Sequence, residues 1–224
     1  KDPERLQKLW ALDTDSNDVF LALNRALATE GIFIEVANGI HCETLIHIIH
    51  YNSPQSAQAI AAPRHVLWLG KNAQAHVVET FIAWDGASYF TNAVLDGYLD
   101  DGARLTHARI QAERSTAYHI GAARFRLQTS SHLETFSLSV GASLGRNLLE
   151  VYLQGEQAGV VLNGLYAGKG QQLLDNHTRV EHAVPKCSSR QLYKGILDDQ
   201  SRAVFNGKVH VPQYAQETDG YQLN

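Results

Sequence analysis

The sequence predicts a mainly β protein built as a solenoid of stacked β-coils, with a short helical lead-in. Three observations support this fold class: one stretch of helical periodicity near the start, many short alternating strands after it, and small residues that recur about every 27 to 30 positions. A β-sandwich, which also consists of many short strands, is the alternative fold.

The lead-in contains one clear helix. Ser16 or Asn17 can cap its N-terminus, and Gly31 follows its last turn. The apolar residues at helical spacing are Val19, Phe20, Leu23, Ala26 and Leu27. Residues 6–12 indicate a shorter preceding helix. We therefore predict a helix-containing lead-in over residues 1–62 and a β-helical core over residues 63–224.

From Ile32 onward the chain indicates short strands rich in Val, Ile, Leu, Tyr and Phe, separated by Gly, Asn and Asp. Alternation of apolar and polar residues is visible within 134–140, 149–154 and 202–209. In the second of these segments Leu149, Val151 and Leu153 alternate with Glu150 and Tyr152. Such segments are typical of half-buried strands with one face in a core.

The spacing of the turns distinguishes a solenoid from other β folds. A small residue directly before a strand recurs at Ala73, Ala103, Ser131, Ala158 and Ser188, at intervals of 30, 28, 27 and 30 residues. A second, offset series lies near Ala87, Ala117, Arg146, Gln171 and Arg202. Each period accommodates two to four short strands and no helix, which favours stacked β-coils over helical repeats or a propeller.

Composition excludes several classes of function. The net charge of −4, from 19 basic and 23 acidic residues, gives no electrostatic footprint for nucleic acid or an anionic membrane. No apolar run is long enough to span a bilayer, and the first residues lack the apolar stretch of a secretory signal. The two cysteines, Cys42 and Cys187, are too few for a disulfide framework. We expect a cytoplasmic protein.

One segment concentrates ionisable groups. If residues 175–182 form a strand, Asp175, His177, Arg179 and Glu181 share one face, and Asn176, Thr178, Val180 and His182 share the other. The charged face suits either a metal or acid–base chemistry, or a solvated strand whose charges pair with each other. His182 and Cys187 are candidate metal ligands because they could meet across one turn, although no further Cys or His completes a known ligand spacing.

Other candidate motifs favour structural roles. His47 and His50 point to opposite faces of a strand, which indicates packing rather than a joint metal site with His41. The glycine-rich residues 164–170 do not match the phosphate-binding loop. The acidic pairs at 100–101 and 198–199 precede strands as turn residues. We therefore predict no catalytic residue.

The last third of the chain resembles the SufB/SufD family of scaffold proteins for iron–sulfur cluster assembly. The likeness runs through residues 175–197, 201–209 and 215–224, and upstream through Tyr89-Phe-Thr-Asn92 and Gly102-Ala-Arg-Leu-Thr-His107. Gln191-Leu-Tyr-Lys-Gly195 and Val204-Phe-Asn-Gly207 are closer to the SufD branch than to SufB. The resemblance implies a right-handed parallel β-helix, which agrees with the period above.

The resemblance also implies a role. SufD-like proteins are non-catalytic scaffolds that pair with a SufB-like protein through the β-helix, bind a SufC-like ATPase, and are linked to iron supply. We expect no stably bound cofactor, a transient iron–sulfur cluster only at the interface with SufB, and a homodimer when the protein is isolated. The family's cluster ligands lie beyond Asn224, so His182 and Cys187 are not those residues.

A second class of function is also compatible with a β-helix. Polysaccharide lyases and hydrolases use this fold, and they need clustered carboxylates on an exposed sheet. Neither such a cluster nor a secretory signal is visible in the sequence, which favours the scaffold.

Overall fold

The computed structural model describes residues 18–53, 59–84 and 88–224. Their helix is Val19–Leu27 (α1). The strands are Phe33–Val36 (β1), Ile46–Asn52 (β2), Ile60–Ala61 (β3), Arg64–Leu69 (β4), Gln74–Ala83 (β5), Phe90–Leu99 (β6), Arg104–Gln111 (β7), Tyr118–Leu127 (β8), His132–Ser139 (β9), Leu144–Leu153 (β10), Gly159–Gly168 (β11), Leu173–His182 (β12), Ser188–Leu197 (β13), Arg202–His210 (β14) and Asp219–Leu223 (β15).

The strands form two sheets that run along the whole solenoid. Sheet A has the order β1-β4-β6-β8-β10-β12-β14, with β3 beside β6, and sheet B has the order β15-β13-β11-β9-β7-β5-β2. Every pairing between these strands is parallel, and from β4 onward the chain alternates between the sheets, so each of these coils contributes one strand to each sheet. The predicted parallel β-helix is confirmed. A β-sandwich would instead pair antiparallel strands.

The predicted series of small residues marks the start of sheet B. Ala73, Ala103, Ser131 and Ala158 each lie directly before a strand of this sheet and are at most 1% exposed. In the fifth coil the prediction of Ser188 is off by one, because Ser188 aligns with Gly159 and already belongs to β13. The buried position before it is occupied by Cys187, 1% exposed.

The second predicted series marks sheet A less sharply. Ala117 lies directly before β8 and Arg202 begins β14, whereas Arg146 lies inside β10 and Gln171 lies two residues before β12. Ala87 lies outside the described residues.

Helix α1 packs on the outer face of sheet A. Its N-cap is Asp18, whose carboxylate accepts from the amides of Phe20 and Leu21, rather than Ser16 or Asn17, which lie outside the described residues. Leu21 packs against Val94 and Ala122. The helix predicted over 6–12 also lies outside the described residues. The predicted division at residue 62 stays a prediction; β1 to β3, which precede it, already pair within the two sheets.

The interior has two unlike corners, where the chain passes from one sheet to the other. At the end of the sheet A strands, Leu69, Leu99, Leu127 and Leu153 stack in register and are fully buried, and His182 follows them. This stack agrees with the alternation predicted for β10. The opposite corner, where sheet B strands end and sheet A strands begin, is polar.

At the polar corner, strand β9 does not follow the usual pattern of apolar residues inward and polar residues outward. In β9 the buried residues include Thr135, Ser137 and Ser139, while Phe136 is 41% exposed. The strand therefore turns its hydroxyl groups inward and its aromatic ring outward, because the inner positions at this corner belong to a polar network.

Candidate functional site

The polar corner contains most of the buried ionisable side chains of the first coils. We define it by inward-facing residues of β2, β4, β5, β7 and β8 and by Glu113, which follows β7. The strand residues are His50, His65, Glu79, His107, Arg109, Gln111 and His119. The alternation of each strand aims these side chains inward, since neighbouring apolar positions such as Val77 and Phe81 share the face of Glu79.

Glu79 is the centre of this network and is fully buried. Its Oε1 lies 3.3 Å from Nε2 of His50, and its Oε2 lies 3.6 Å from Nε2 of His107 and 3.7 Å from Nε of Arg109. Burial raises the pKa of Glu79, but the charge of Arg109 and the contacts with His107 and His50 outweigh it and hold the pKa well below its usual range. Glu79 is therefore a buried carboxylate.

Neither oxygen of Glu79 has a hydrogen bond of good geometry among the described residues, and the same holds for Nε2 of His50 and of His65. The contacts of Glu79 are ion-pair distances only. Buried polar atoms without a partner are uncommon in folded proteins, so these atoms need an explanation.

His65 is held by the backbone just before β1. The amide of Ile32 donates to its Nδ1 at 3.0 Å. Burial lowers the pKa of His65 to about 4, with Glu79 acting in the opposite sense. The ring is thus neutral near pH 7. Its centroid lies 4.9 Å from that of His50, which in turn stacks on Phe81 at 4.1 Å.

A cavity of about 340 Å³ opens onto the two histidines. Besides His50 and His65 it is lined by residues 30–32 and by Tyr51, Asn52 and Thr91. Its size is within the range of small-ligand sites. Glu79 lies behind the histidines and does not line the cavity.

A second ion pair continues the network deeper into the solenoid. Nδ1 of His119 lies 2.6 Å from Oε2 of Glu113, which also accepts from Gln111, while Oε1 accepts from Thr91 at 2.8 Å. Burial raises the pKa of Glu113, but the charge and hydrogen bond of His119, with those from Gln111 and Thr91, lower it to about 2. Every oxygen of this carboxylate has a partner.

The two predicted metal candidates lie at the leucine corner instead. His182 is fully buried, its Nε2 is 2.9 Å from Oγ of Ser189, and burial lowers its pKa. The thiol of Cys187 donates to the carbonyl of Gly155 at 3.3 Å, and burial raises its pKa. His182 occupies the fifth place of the leucine stack and Cys187 the fifth small-residue place, so each has a packing role. A metal at this pair stays a prediction.

The charged segment adopts the predicted faces. In β12 Asp175, His177, Arg179 and Glu181 point outward and the alternate residues inward. Asp175 Oδ1 lies 2.8 Å from Nε2 of His177, and Arg179 donates to Glu181 at 2.8 Å. The face therefore pairs its own charges, which agrees with the solvated, self-paired alternative.

Sequence patterns missed most of the polar corner. The opposite faces of His47 and His50 are confirmed, since His47 points outward to Thr80. Residues 65, 79, 107, 109, 113 and 119 were not singled out from the sequence. The usable signal was a charged residue on an otherwise apolar alternating face, as at Glu79 between Val77 and Phe81.

No helix in the described ranges has the length and apolar character required to cross a bilayer.

The architecture defines the chain as a parallel β-helix protein with a buried polar corner. The family model described as "SUF system FeS cluster assembly, SufBD core domain" matches residues 50–224. The chain therefore belongs to the SufBD family of the iron–sulfur cluster assembly system, as the sequence resemblance predicted.

Named relatives agree with this assignment. The chain is 29% identical over 99% of its length to an iron–sulfur cluster assembly SufBD family protein of Synechocystis, covering 51% of that protein. It is 30% identical over 95% of its length to the iron–sulfur cluster assembly protein SufD of Escherichia coli, covering 51% of it. Identity to SufB of Bacillus subtilis is 27% over 93%, covering 44%. The chain thus spans about half the length of these relatives.

Proposed function

We propose that this protein is a SufD-like scaffold subunit of an iron–sulfur cluster assembly complex and has no turnover of its own. The observation that carries the proposal is the match to the SufBD core domain over residues 50–224, together with 30% identity to the E. coli protein named SufD. The cluster is cargo in this role, formed transiently at a subunit interface.

The proposed partners are a SufB-like scaffold and a SufC-like ATPase. Support comes from the relatives, which include proteins named both SufD and SufB. Since the chain spans about half of those relatives, the partners belong to the proposal for the whole protein. A link to iron supply and a homodimer in the absence of SufB are part of the same proposal.

The outer surface of sheet B supports a role in protein contacts. Its outward positions include exposed apolar side chains, with Ile49 57%, Phe136 41% and Leu192 37% exposed. These residues lie on β2, β9 and β13, so exposed apolar side chains recur along the solenoid between polar ones. Exposed apolar groups that form a patch are typical of interaction sites.

The outer surface of sheet A gives less support to the polysaccharide lyase or hydrolase alternative. Its carboxylates at Asp175 and Glu181 are engaged by Arg146, His177 and Arg179. A carboxylate that serves such an enzyme must be free to reach the substrate. Purified protein should therefore release no unsaturated sugar from pectin or alginate, and measurable cleavage would revive the enzyme alternative.

We place the protein in the cytoplasm. Both cysteines are free, Cys187 is buried, and Cys42 is partly exposed. Unpaired cysteines are compatible with a reducing compartment.

Cluster assembly provides the direct functional test. The protein at its natural length is co-expressed with SufB-like and SufC-like partners, and the purified complex is reconstituted anaerobically with iron and sulfide. The expected result is more cluster absorbance per complex than SufB-like and SufC-like proteins give without it. Equal cluster loading with and without this protein would overturn the proposed role.

A further inference from the structure

We propose that His50, His65 and Glu79 form a binding site for a divalent first-row transition metal ion at the base of the cavity. The proposal does not depend on the scaffold function. It differs from the sequence-based expectation of no stably held cofactor, and it uses none of the residues singled out there as metal ligands.

The geometry brings three ligand atoms together from three strands. One donor atom each from His50, His65 and Glu79 lie within 4.8 Å of one another. Tetrahedral ligands around zinc lie about 3.4 Å apart, given metal–ligand bonds of about 2.1 Å. One pair, Nε2 of His50 and Oε1 of Glu79, already has this separation at 3.3 Å. Modest rotation of the side chains would bring the third ligand atom, from His65, to a similar separation.

The unpartnered atoms are the second, independent observation. His65 is 4% exposed and Glu79 is fully buried, yet Nε2 of His65 and both oxygens of Glu79 have no hydrogen bond within the described part of the chain. Arg109 and His107 contact Oε2 of Glu79, which leaves Oε1 facing His50. A metal ion would give both Nε2 of His65 and Oε1 of Glu79 a partner.

The cavity supplies access and the open coordination positions. His50 and His65 line it, and the His50 side chain is 13% exposed. Water in the cavity can occupy the positions that the three residues leave open. Because Arg109 already balances the charge of Glu79, hydroxide or a small anion in the cavity would have to offset the charge of the metal ion, so we expect a labile site rather than a closed structural one.

The donor set selects the class of metal. Two imidazoles and one carboxylate with open positions suit Fe²⁺, Zn²⁺ and Co²⁺, whereas Mg²⁺ and Ca²⁺ prefer oxygen ligands alone. The soft thiolate ligands that select Cu⁺ are missing from this set.

Metal binding should compete with one hydrogen bond. In the neutral ring of His65, Nδ1 accepts from the Ile32 amide, so the proton resides on Nε2. Coordination through Nε2 requires the proton to move to Nδ1, which opposes the Ile32 amide. Loading the site should therefore break the Ile32 hydrogen bond at the entrance to β1.

The test is a titration of the purified protein with Co²⁺, followed by visible absorption and calorimetry. We expect one equivalent to bind with d–d bands of a low-coordinate site, and His50→Ala to weaken binding at least about tenfold. The matched control is His47→Ala, which removes an outward histidine of the same strand and should bind like the wild type.

Folding and ligand identity are checked separately. Each variant is compared with the wild type by circular dichroism and thermal unfolding, and His65→Asn replaces His50→Ala if the latter does not fold. In a ¹⁵N NMR spectrum, saturating Zn²⁺ should shift the Ile32 amide and speed its hydrogen exchange. Absence of Co²⁺ binding, equal binding by the folded His50 or His65 variant, or an unchanged Ile32 amide would overturn the site.

Discussion

Arg124 donates from Nε to Oδ1 of Asp96 at 2.8 Å, and the two residues lie side by side in the register of β6 and β8. Both are buried, at 0% and 1% exposure. Arg64 donates to the other oxygen of Asp96 at 2.8 Å. One carboxylate therefore accepts hydrogen bonds from two guanidinium groups on sheet A.

Asp96→Asn should destabilise the protein by about 3 kcal/mol, because it removes the buried carboxylate that Arg64 and Arg124 share. Urea unfolding followed by circular dichroism measures the change. The control is Asp101→Asn, which breaks the exposed pair between Asp101 and Lys71 and should cost less than about 1 kcal/mol. Equal effects of the two substitutions would contradict a buried pair.

Glu113 should make stability depend on pH in acid. Its folded pKa of about 2 is below the ordinary value of 4.5, so its stabilisation is present above pH 4.5 and is lost as the pH falls toward 2. The difference corresponds to about 3 kcal/mol. The difference in free energy of unfolding between wild type and Glu113→Gln should therefore be smaller at pH 3 than at pH 6.

Glu134→Gln is the control for this pH series, since Glu134 is an exposed carboxylate on the outer face of β9. It should leave the free energy of unfolding nearly unchanged at both pH values. If the difference in free energy of unfolding between wild type and Glu113→Gln stays constant or grows on acidification, the role given to Glu113 is wrong.

Gly164 is required by the packing of Tyr193 across β11 and β13. A Cβ at Gly164 would lie 2.1 Å from Cε1 of Tyr193, whose ring is buried. Gly164→Ala should cost about 1–3 kcal/mol through overpacking. Gly220→Ala, where the nearest atom to a Cβ is 3.7 Å away, is the matched substitution and should be tolerated. Thermal unfolding should show a lower melting temperature for Gly164→Ala than for Gly220→Ala, and equal melting temperatures would contradict the packing role of Gly164.

Asn24 should hold helix α1 on sheet A. Its Nδ2 donates to the carbonyls of Asn92 at 2.7 Å and Pro63 at 3.2 Å, and the side chain is fully buried. Asn24→Ala leaves both carbonyls without this donor and should cost about 1–3 kcal/mol. Amide hydrogen exchange within 20–27 should then accelerate, whereas the exposed Arg25→Ala on the same helix should not change it. Unchanged protection in Asn24→Ala would contradict the anchoring role.

Much of the fold was predictable because a solenoid repeats the same local requirement in every coil. The buried position before each sheet B strand accommodates a small side chain. Ala73, Ala103, Ser131 and Ala158 occupy it, and their regular spacing is visible in the sequence. Ser188 was predicted in this series in place of Cys187, because a cysteine suggests a metal ligand or a nucleophile before it suggests a small core residue. Cys187 nevertheless fills the same buried position.

The polar corner was less predictable because its residues contact one another across coils and between sheets. His50 and Glu79 are 29 positions apart, and His65 reaches them from the opposite sheet. Strand alternation assigns each residue a face but does not distinguish inside from outside when polar groups fill the core. In β9, for example, the inward face carries Thr135, Ser137 and Ser139 beside Leu133.

The most direct test of the scaffold assignment is the mass of the complex formed by the protein at its natural length, co-expressed with a SufB-like scaffold and a SufC-like ATPase. Size-exclusion chromatography with light scattering should give one species that contains all three chains, and omission of the SufB-like protein should leave a homodimer or its SufC-bound form. Elution of this protein by itself, with SufB-like and SufC-like proteins together in a separate peak, would contradict the assignment.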